Sequence, residues 1–176
     1  MTVRRAKAIQ WQANIYIGLL MLIVLGGTVL RFAGLGKESI WLDEATSLII
    51  ARMDLSSVVA WAAGDVHPPL YYLALHFWLL LGESEFVVRA LSAVLGVLTI
   101  VVVYALANEL FGSRVGLLSA LLLALSPMHI WYSQEVRMYS LVTALGLCFV
   151  AFWLHALGRP RGLWVLPGLA LSGALG

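Results

Sequence analysis

The sequence predicts an all-α, polytopic membrane protein with about five transmembrane helices and short interfacial helices in its first outer loop. Of its 176 residues, 62% are hydrophobic and 11% are charged, whereas soluble domains carry about 25% charged residues. The apolar residues also collect into runs long enough to cross a bilayer. These runs predict that the chain is surrounded by the lipid bilayer. The net charge of +2 is too small to indicate a nucleic-acid partner.

The lengths of the apolar runs define the predicted spans. A basic N-terminus, MTVRRAK, precedes the first run and is expected to stay in the cytoplasm. That run is too long for the apolar part of a cleaved signal peptide, so we interpret it as an uncleaved span. We expect one transmembrane domain, 1–176, that is the front part of a longer protein. Its predicted spans are 13–32, 88–110, 115–131 and 140–157, followed by an incomplete span at 163–176.

The stretch 66–86, VHPPLYYLALHFWLLLGESEF, leaves the topology open. Its apolar part, 69–81, would form about 20 Å of helix, short of the roughly 30 Å hydrocarbon core. Apolar runs of this length more often lie at the interface or re-enter the membrane than span it. We therefore expect an interfacial helix here.

The positions of the arginines favour the same arrangement. If 69–81 does not cross, Arg114, Arg159 and Arg161 lie in the cytoplasm with the N-terminal cluster. If it does cross, these three move outside, and Arg89 and Arg137 move inside. The positive-inside rule favours the first topology by three loop arginines against two. The protein is then expected in the cell membrane as a multi-pass protein with a cytoplasmic N-terminus.

Under this topology the first outer loop covers 33–87 and holds seven of the nine acidic residues. Within it, 43–52 and 55–63 have apolar residues at spacings of three and four, which predicts short amphipathic helices. Each begins at or just after an aspartate, as helix starts often do, and Pro69 suits the first turn of a third. Three helices on the outer surface could hold a lipid-borne and a water-soluble substrate together.

The first candidate for chemistry is the adjacent acidic pair in WLDEA, Asp43 and Glu44. One interpretation is a helix-capping pair with a solvated acid. The other makes Asp43 a general base for an acceptor hydroxyl, with Glu44 orienting it or binding substrate. No cofactor is predicted, although this pair could bind a divalent metal weakly.

The second candidate is VHPPLYY, in which a proline restricts the preceding His67 to extended backbone. His67 could bind a phosphate or a sugar, with Tyr71 one turn further on. The alternative is a turn before an interfacial helix whose tyrosines belong to an aromatic belt.

The third candidate is YSQEVRMYS, which interrupts nearly continuous apolar sequence. Glu135 and Arg137 must therefore face water or protein, and the guanidinium of an arginine suits a lipid phosphate. An ion pair between these two residues is the alternative. Arg89 is a further candidate for the phosphate, or for pairing with Glu83 or Glu85.

The order of these motifs resembles the N-terminal part of GT-C membrane glycosyltransferases. WLDEA, VHPPLYY, SEFVVRALSAVLG, FGSRVGLLSALLLALSP and YSQEVRMYSL follow one another at the family's distances, from about Ile15 to Leu157. The branch it resembles contains bacterial relatives of protein O-mannosyltransferases and lipid A aminoarabinose transferases. The resemblance covers most of the chain.

The resemblance implies a sugar donor carried on a polyprenyl phosphate, used on the extracytoplasmic face with inversion at the anomeric carbon. The family's acidic residue matches Asp43, its H-P-P segment begins at His67, and its later arginine matches Arg137. The sequence departs from the family at Glu135, where several branches have an aspartate. The acceptor is left open between protein, lipid and glycan. The alternative function is a non-catalytic membrane protein, either a transporter half or a lipid-binding scaffold.

Overall fold

The computed structural model of the protein describes residues 3–64 and 68–158, which are helical throughout apart from turns and short connections. Within these residues, three helices are long and apolar enough to cross a membrane, or four if a bent pair is one span. The protein is therefore an all-α membrane protein, as the sequence predicts. The helices are α1 (Val3–Phe32), α2 (Leu42–Ala51), α3 (Leu55–Ala63), α4 (Leu70–Trp78), α5 (Glu85–Phe111), α6 (Ser113–Leu125), α7 (Pro127–Ser133) and α8 (Tyr139–Gly158).

Helix α5 is the centre of a bundle and contacts α1, α6, α7 and α8. The 27 residues of α5 make a rod about 40 Å long. Ile100 at its middle is fully buried against α1 and α6, with Ala120 and Ala124 in the same apolar cluster. Gly116 of α6 lies so close to α5 that an added Cβ would be 3.0 Å from the Cβ of Asn108.

The directions of the helices alternate, and the connections define two ends of the bundle. Contacts join the start of α5 to the end of α1, through Leu35 and Ala90. At the other end His155 of α8 lies 3.2 Å from Glu109 of α5. We call the end where α1 stops and α5 starts the site end, and the end with Glu109 the opposite end.

The short helices α2, α3 and α4 lie together at the site end. Tyr71, Tyr72 and Leu75 of α4 are buried in one apolar cluster with Ile50 of α2 and Val58 of α3. The nine residues of α4 extend over about 14 Å, and a 3-10 turn, Leu79–Leu81, follows them. The tyrosines of α4 are thus core residues and not members of an aromatic belt.

Helix α2 begins one residue earlier than predicted, and its cap differs. Trp41 is the N-cap, and the carboxylate of Glu44 accepts its backbone N–H at 3.4 Å. Asp43 therefore lies inside the first turn. Asp54 does cap α3, accepting the N–H of Ser57 at 3.0 Å. The side-chain bonds to Ser56 and Ser57 lower the pKa of Asp54 to about 2.

The predicted span 115–131 is broken in the structure. Helices α6 and α7 meet at an angle of 62°, between Ser126 and Pro127. Proline has no N–H to continue the helix, and the ring disfavours helical backbone in the residue before it. The hydroxyl of Ser126 caps α7 by accepting the N–H of His129. The predicted spans 13–32, 88–110 and 140–157 lie within α1, α5 and α8, and 163–176 lies outside the described residues.

Candidate functional site

A buried ion pair forms the centre of the site end. The guanidinium of Arg89 binds the carboxylate of Glu44 in a two-point contact, with Nε 2.9 Å from Oε1 and Nη2 2.6 Å from Oε2. Glu44 is fully buried and Arg89 is 5% exposed. Paired in this way, each charge compensates the desolvation of the other. Of the two predicted alternative partners of Arg89, Glu83 and Glu85, the first instead binds Arg52 at 2.8 Å.

Every N–H of the Arg89 guanidinium is used. Beyond Glu44, it donates to the carbonyls of Leu35 at 3.0 Å, Glu38 at 2.7 Å and Ser39 at 3.2 Å. An arginine side chain has five N–H groups in a planar fork, and here each has its own acceptor. Arg89 therefore ties the connection after α1 to helix α2, and leaves no N–H for a phosphate in this arrangement.

The same carboxylate reaches the loop between α7 and α8. Glu44 Oε1 accepts the backbone N–H of Val136 at 3.0 Å, and Val136 is fully buried. One side chain thus connects α2, α5 and the 134–138 loop. This contact fixes where the loop's neighbouring side chains, Glu135 and Arg137, emerge.

Asp43 and Arg137 lie side by side, and each has polar atoms without a partner in the described part of the chain. Asp43 is half-buried, and its carboxylate has no hydrogen bond or ion pair with any residue in 3–64 or 68–158. Arg137 Nη1 makes only a long contact of 3.5 Å with the carbonyl of Asp43, and the guanidinium lies 5.9 Å from the ring centre of Tyr139. Arg137 Nε is buried without a described partner, so it could bind an incoming anion.

Tyr71 does not face the open site. Its buried hydroxyl lies 2.8 Å from Ser92 Oγ, and that serine donates to the carbonyl of Arg137 at 3.1 Å. Ser92 uses its proton on the carbonyl, so Tyr71 is the donor in the first bond. Burial raises the pKa of the Tyr71 hydroxyl, which keeps it protonated as that donor. Tyr71 therefore supports the backbone of Arg137.

An open cavity of about 680 Å³ lies between the connection after α1 and the α7–α8 loop. Glu135 lines it and accepts the indole N–H of Trp131 at 2.7 Å. Burial raises the pKa of the Glu135 carboxyl, and the negative charges of Glu44 and Asp43 act in the same direction. No ion pair joins Glu135 to Arg137 among the described residues; the backbone N–H of Arg137 donates to the carbonyl of Glu135 at 2.8 Å. The other aromatic residues of the cavity are Trp41, Tyr132 and Tyr139.

A second buried arginine was missed by the sequence reasoning. Arg31, fully buried at the end of α1, donates to the carbonyls of Leu123 and Ala124 at 3.1 Å each. It also donates to Nδ1 of His129 at 2.8 Å. These carbonyls end α6 at the bend, where Leu123 also accepts the N–H of Ser126 at 3.2 Å, and Arg31 adds donors to both of them. The signal in the sequence was an arginine inside the first span together with Ser-Pro inside the third.

The contacts described so far leave out two predicted features, the role of His67 and a weak metal site. His67 lies outside the described residues. Within the described part of the chain, no three side chains of His, Cys, Asp or Glu come together as a metal site.

The fold and the site define an integral membrane protein whose polar groups collect at one end of an apolar bundle. Comparison with protein families matches residues 66–176 to the dolichyl-phosphate-mannose-protein mannosyltransferases. The chain belongs to this family, and is a membrane glycosyltransferase of the GT-C type. The match begins after Asp43 and Glu44, so it does not extend to those two carboxylates. Neither the curated proteins nor the solved structures give a match.

Proposed function

We propose that the protein transfers a sugar from a polyprenyl-phosphate-linked donor to an acceptor hydroxyl on the extracytoplasmic face of the cell membrane. Membership of the family supports this class of donor. The observation that carries the proposal is the carboxylate of Asp43, which has no partner among the described residues, beside the partly unsatisfied guanidinium of Arg137. Transfer from a sugar phosphate needs both a base and a cation.

In the proposed step, Asp43 accepts the proton of the acceptor hydroxyl. The oxygen of that hydroxyl attacks the anomeric carbon from the side opposite the phosphate. The bond from the anomeric carbon to the phosphate oxygen breaks, and its electron pair leaves with the polyprenyl phosphate. Direct displacement of this kind inverts the anomeric configuration.

Arg137 is the proposed ligand of the phosphate. Its Nε–H has no described partner and its Nη1–H is poorly bound, whereas all five N–H groups of Arg89 are occupied. A guanidinium with free N–H groups can stabilise the charge that develops on a departing phosphate. Arg89 and Glu44 are therefore proposed as positioning residues, which hold α2 and the α7–α8 loop against each other.

Tyr71 and His67 have different proposed roles. Tyr71 acts through Ser92 on the backbone of Arg137, so it also positions that side chain. His67 stays a predicted donor of a hydrogen bond to the phosphate or sugar, because it precedes two prolines next to α4. The exposed side chains Phe77 and Leu80 of this segment suit the prenyl chain.

The test is sugar transfer from radiolabelled polyprenyl-phosphate sugars in membranes that contain the protein, compared with Asp43→Asn. Removing a general base lowers the rate by about 10²–10⁴-fold. We expect a loss of this size in the Asp43→Asn variant at an unchanged protein level.

The matched control is Asp54→Asn, the same substitution at the cap of α3. Asparagine caps helices as well as aspartate does, so we expect transfer close to that of the unchanged protein. Equal activity of Asp43→Asn and the control would remove Asp43 from the mechanism. Absence of transfer from every polyprenyl-phosphate sugar in the unchanged protein would contradict the proposed donor class.

A further inference from the structure

The cavity next to Asp43 has the composition of a carbohydrate site. We propose that it binds an uncharged sugar ring of the acceptor, so that the acceptor of this enzyme is a glycan. This inference rests on the proposed function, because it assigns the second substrate of the same site. The volume of about 680 Å³ lies in the range of about 300–1,000 Å³ that is usual for ligand pockets.

The charges of the cavity disfavour a phosphate as its occupant. Its charged lining residues are three carboxylates and two cations, and one of the cations, Arg89, is already fully bound to Glu44 and to carbonyls. The remaining cation is the exposed Lys37, against Glu38 and Glu135. A net negative lining repels an anionic group, so the donor phosphate belongs at Arg137 and the cavity is left for the other substrate.

The aromatic side chains give the cavity a surface for a pyranose ring. Trp131 is 66% exposed, so one face of its indole is available to a ligand. Its N–H is fixed by the carboxylate of Glu135, one turn further on. The C–H face of a sugar packs on the electron-rich face of an aromatic ring. Tyr139, which is 37% exposed, lines the same cavity, and its ring centre is 4.5 Å from that of Tyr132.

The polar groups around the rings suit sugar hydroxyls. The Glu135 carboxylate has acceptor positions beyond the one that Trp131 occupies, and a hydroxyl can donate to them. The ammonium group of Lys37, at the same cavity, can donate to a hydroxyl oxygen. The cavity also contains Trp41 and Glu44, the neighbours of Asp43 in α2 and its cap, so a hydroxyl bound there lies near the start of α2.

Binding can be measured without transfer. The probes are neutral linear trisaccharides of glucose, of galactose and of mannose, observed by saturation-transfer NMR with the full chain in detergent. We expect at least one trisaccharide to bind through its C–H protons. Its dissociation constant should rise about tenfold in Trp131→Ala, since an aromatic contact is of that size. Trp131→Phe, which keeps a ring but loses the N–H to Glu135, should give a smaller rise.

The matched control is Trp153→Ala, an exposed tryptophan of α8 that does not line the cavity. It should bind the trisaccharide as the unchanged protein does. Binding of no trisaccharide, or equal losses in Trp131→Ala and Trp153→Ala, would overturn the proposal. Binding of a serine- and threonine-rich peptide that the trisaccharides do not displace would overturn it as well.

The outcome can be separated from that of the proposed function. Asp43→Asn should still bind the trisaccharide while its rate of transfer falls by about 10²–10⁴-fold. A protein that binds the sugar at Trp131 but transfers from no donor would contradict the proposed reaction alone. A protein that transfers sugar but binds no trisaccharide would contradict the proposed acceptor alone.

Discussion

Single residues at the site end divide into two kinds by the state of their hydrogen bonds. Arg89 and Glu44 have complete sets of partners and are buried. Asp43 and Arg137 are held next to them with polar atoms left over. Groups of the first kind fix geometry, and groups of the second kind can bind or react with a substrate.

The Glu44–Arg89 pair should be sensitive to the loss of one partner only. Because Arg89→Ala leaves the fully buried Glu44 charge without its partner, we expect a loss of about 3–5 kcal/mol in the free energy of unfolding. The double variant Glu44→Leu, Arg89→Met removes both charges and should recover much of that loss. Thermal unfolding in detergent measures both.

If the single substitutions lower the free energy of unfolding independently and their losses add in the double variant, the pairing is contradicted.

The pair is also the part of the site that the sequence could not predict. Glu44 and Arg89 are 45 residues apart, and Glu83 and Glu85 lay nearer in the chain. The choice of Glu44 follows from the packing of α2 against α5, which no local pattern encodes.

Glu135 should give the cavity a pH dependence. Burial raises the pKa of this carboxyl above its ordinary value, so it gains a proton at a higher pH than an exposed glutamate. Protonation removes acceptor capacity, and trisaccharide binding should therefore weaken as the pH falls through this raised pKa. A titration of the dissociation constant against pH checks this. The weakening of binding at low pH should disappear in Glu135→Gln. If it persists in that variant, another group causes it.

At the scale of elements, the close contact between α5 and α7 depends on one glycine. A Cβ added at Gly96 of α5 would lie 2.8 Å from the Cβ of Ser133, and it would also clash with the Oγ of that serine. Helix α7 therefore packs on α5 only because position 96 has no side chain. In α8 the matched glycine, Gly146, has nothing within 4 Å of its added Cβ.

This difference predicts opposite effects of one substitution. Gly96→Ala should lower the free energy of unfolding by about 1–3 kcal/mol, since overpacking displaces α7. Gly146→Ala should be neutral or stabilise by up to about 1 kcal/mol, because alanine is the better helix former. Thermal unfolding of both variants in detergent measures these two changes. A stable Gly96→Ala variant would show that α7 can move without cost.

The sequence predicts the elements better than their junctions. Apolar run length gives α1, α5 and α8, and the spacing of apolar residues with an aspartate cap gives α3. The bend between α6 and α7 was not predicted, although Ser126 and Pro127 were its signal, because the apolar run continues across it. The burial of Tyr71 was not predicted either, because tyrosine occurs both in protein cores and at membrane interfaces.

At the scale of the whole molecule, the alternation of helix directions fixes which groups share one end. The end of α1, the start of α5 and the α7–α8 loop come together through Glu44 and Arg89. The predicted outer location of Asp43, Glu135 and Arg137 thus has a counterpart in the geometry, since all three lie at the site end. Their side of the membrane stays a prediction.

Labelling of single cysteines can determine that side. In a Cys148→Ala background, which removes the chain's single cysteine, Ser39→Cys should react with an impermeant maleimide in intact cells. Ser113→Cys, at the opposite end, should react only after permeabilisation. If 69–81 crosses the membrane, Ser113 faces outside and both positions react in intact cells. That outcome would contradict the proposed topology.

The guanidinium of Arg31 has a consequence for the biosynthesis of the protein. At the bend Pro127 supplies no N–H, and among the described residues the carbonyl of Leu123 keeps only the N–H of Ser126 as a backbone donor. The guanidinium adds donors to the carbonyls of Leu123 and Ala124, and in hydrocarbon the carbonyls at such a break need donors from the protein. Their donor lies on α1, more than ninety residues earlier in the chain. Because α1 leaves the ribosome first, its guanidinium can already be in place when α6 emerges. The order of synthesis thus supplies the partner before the need for it arises.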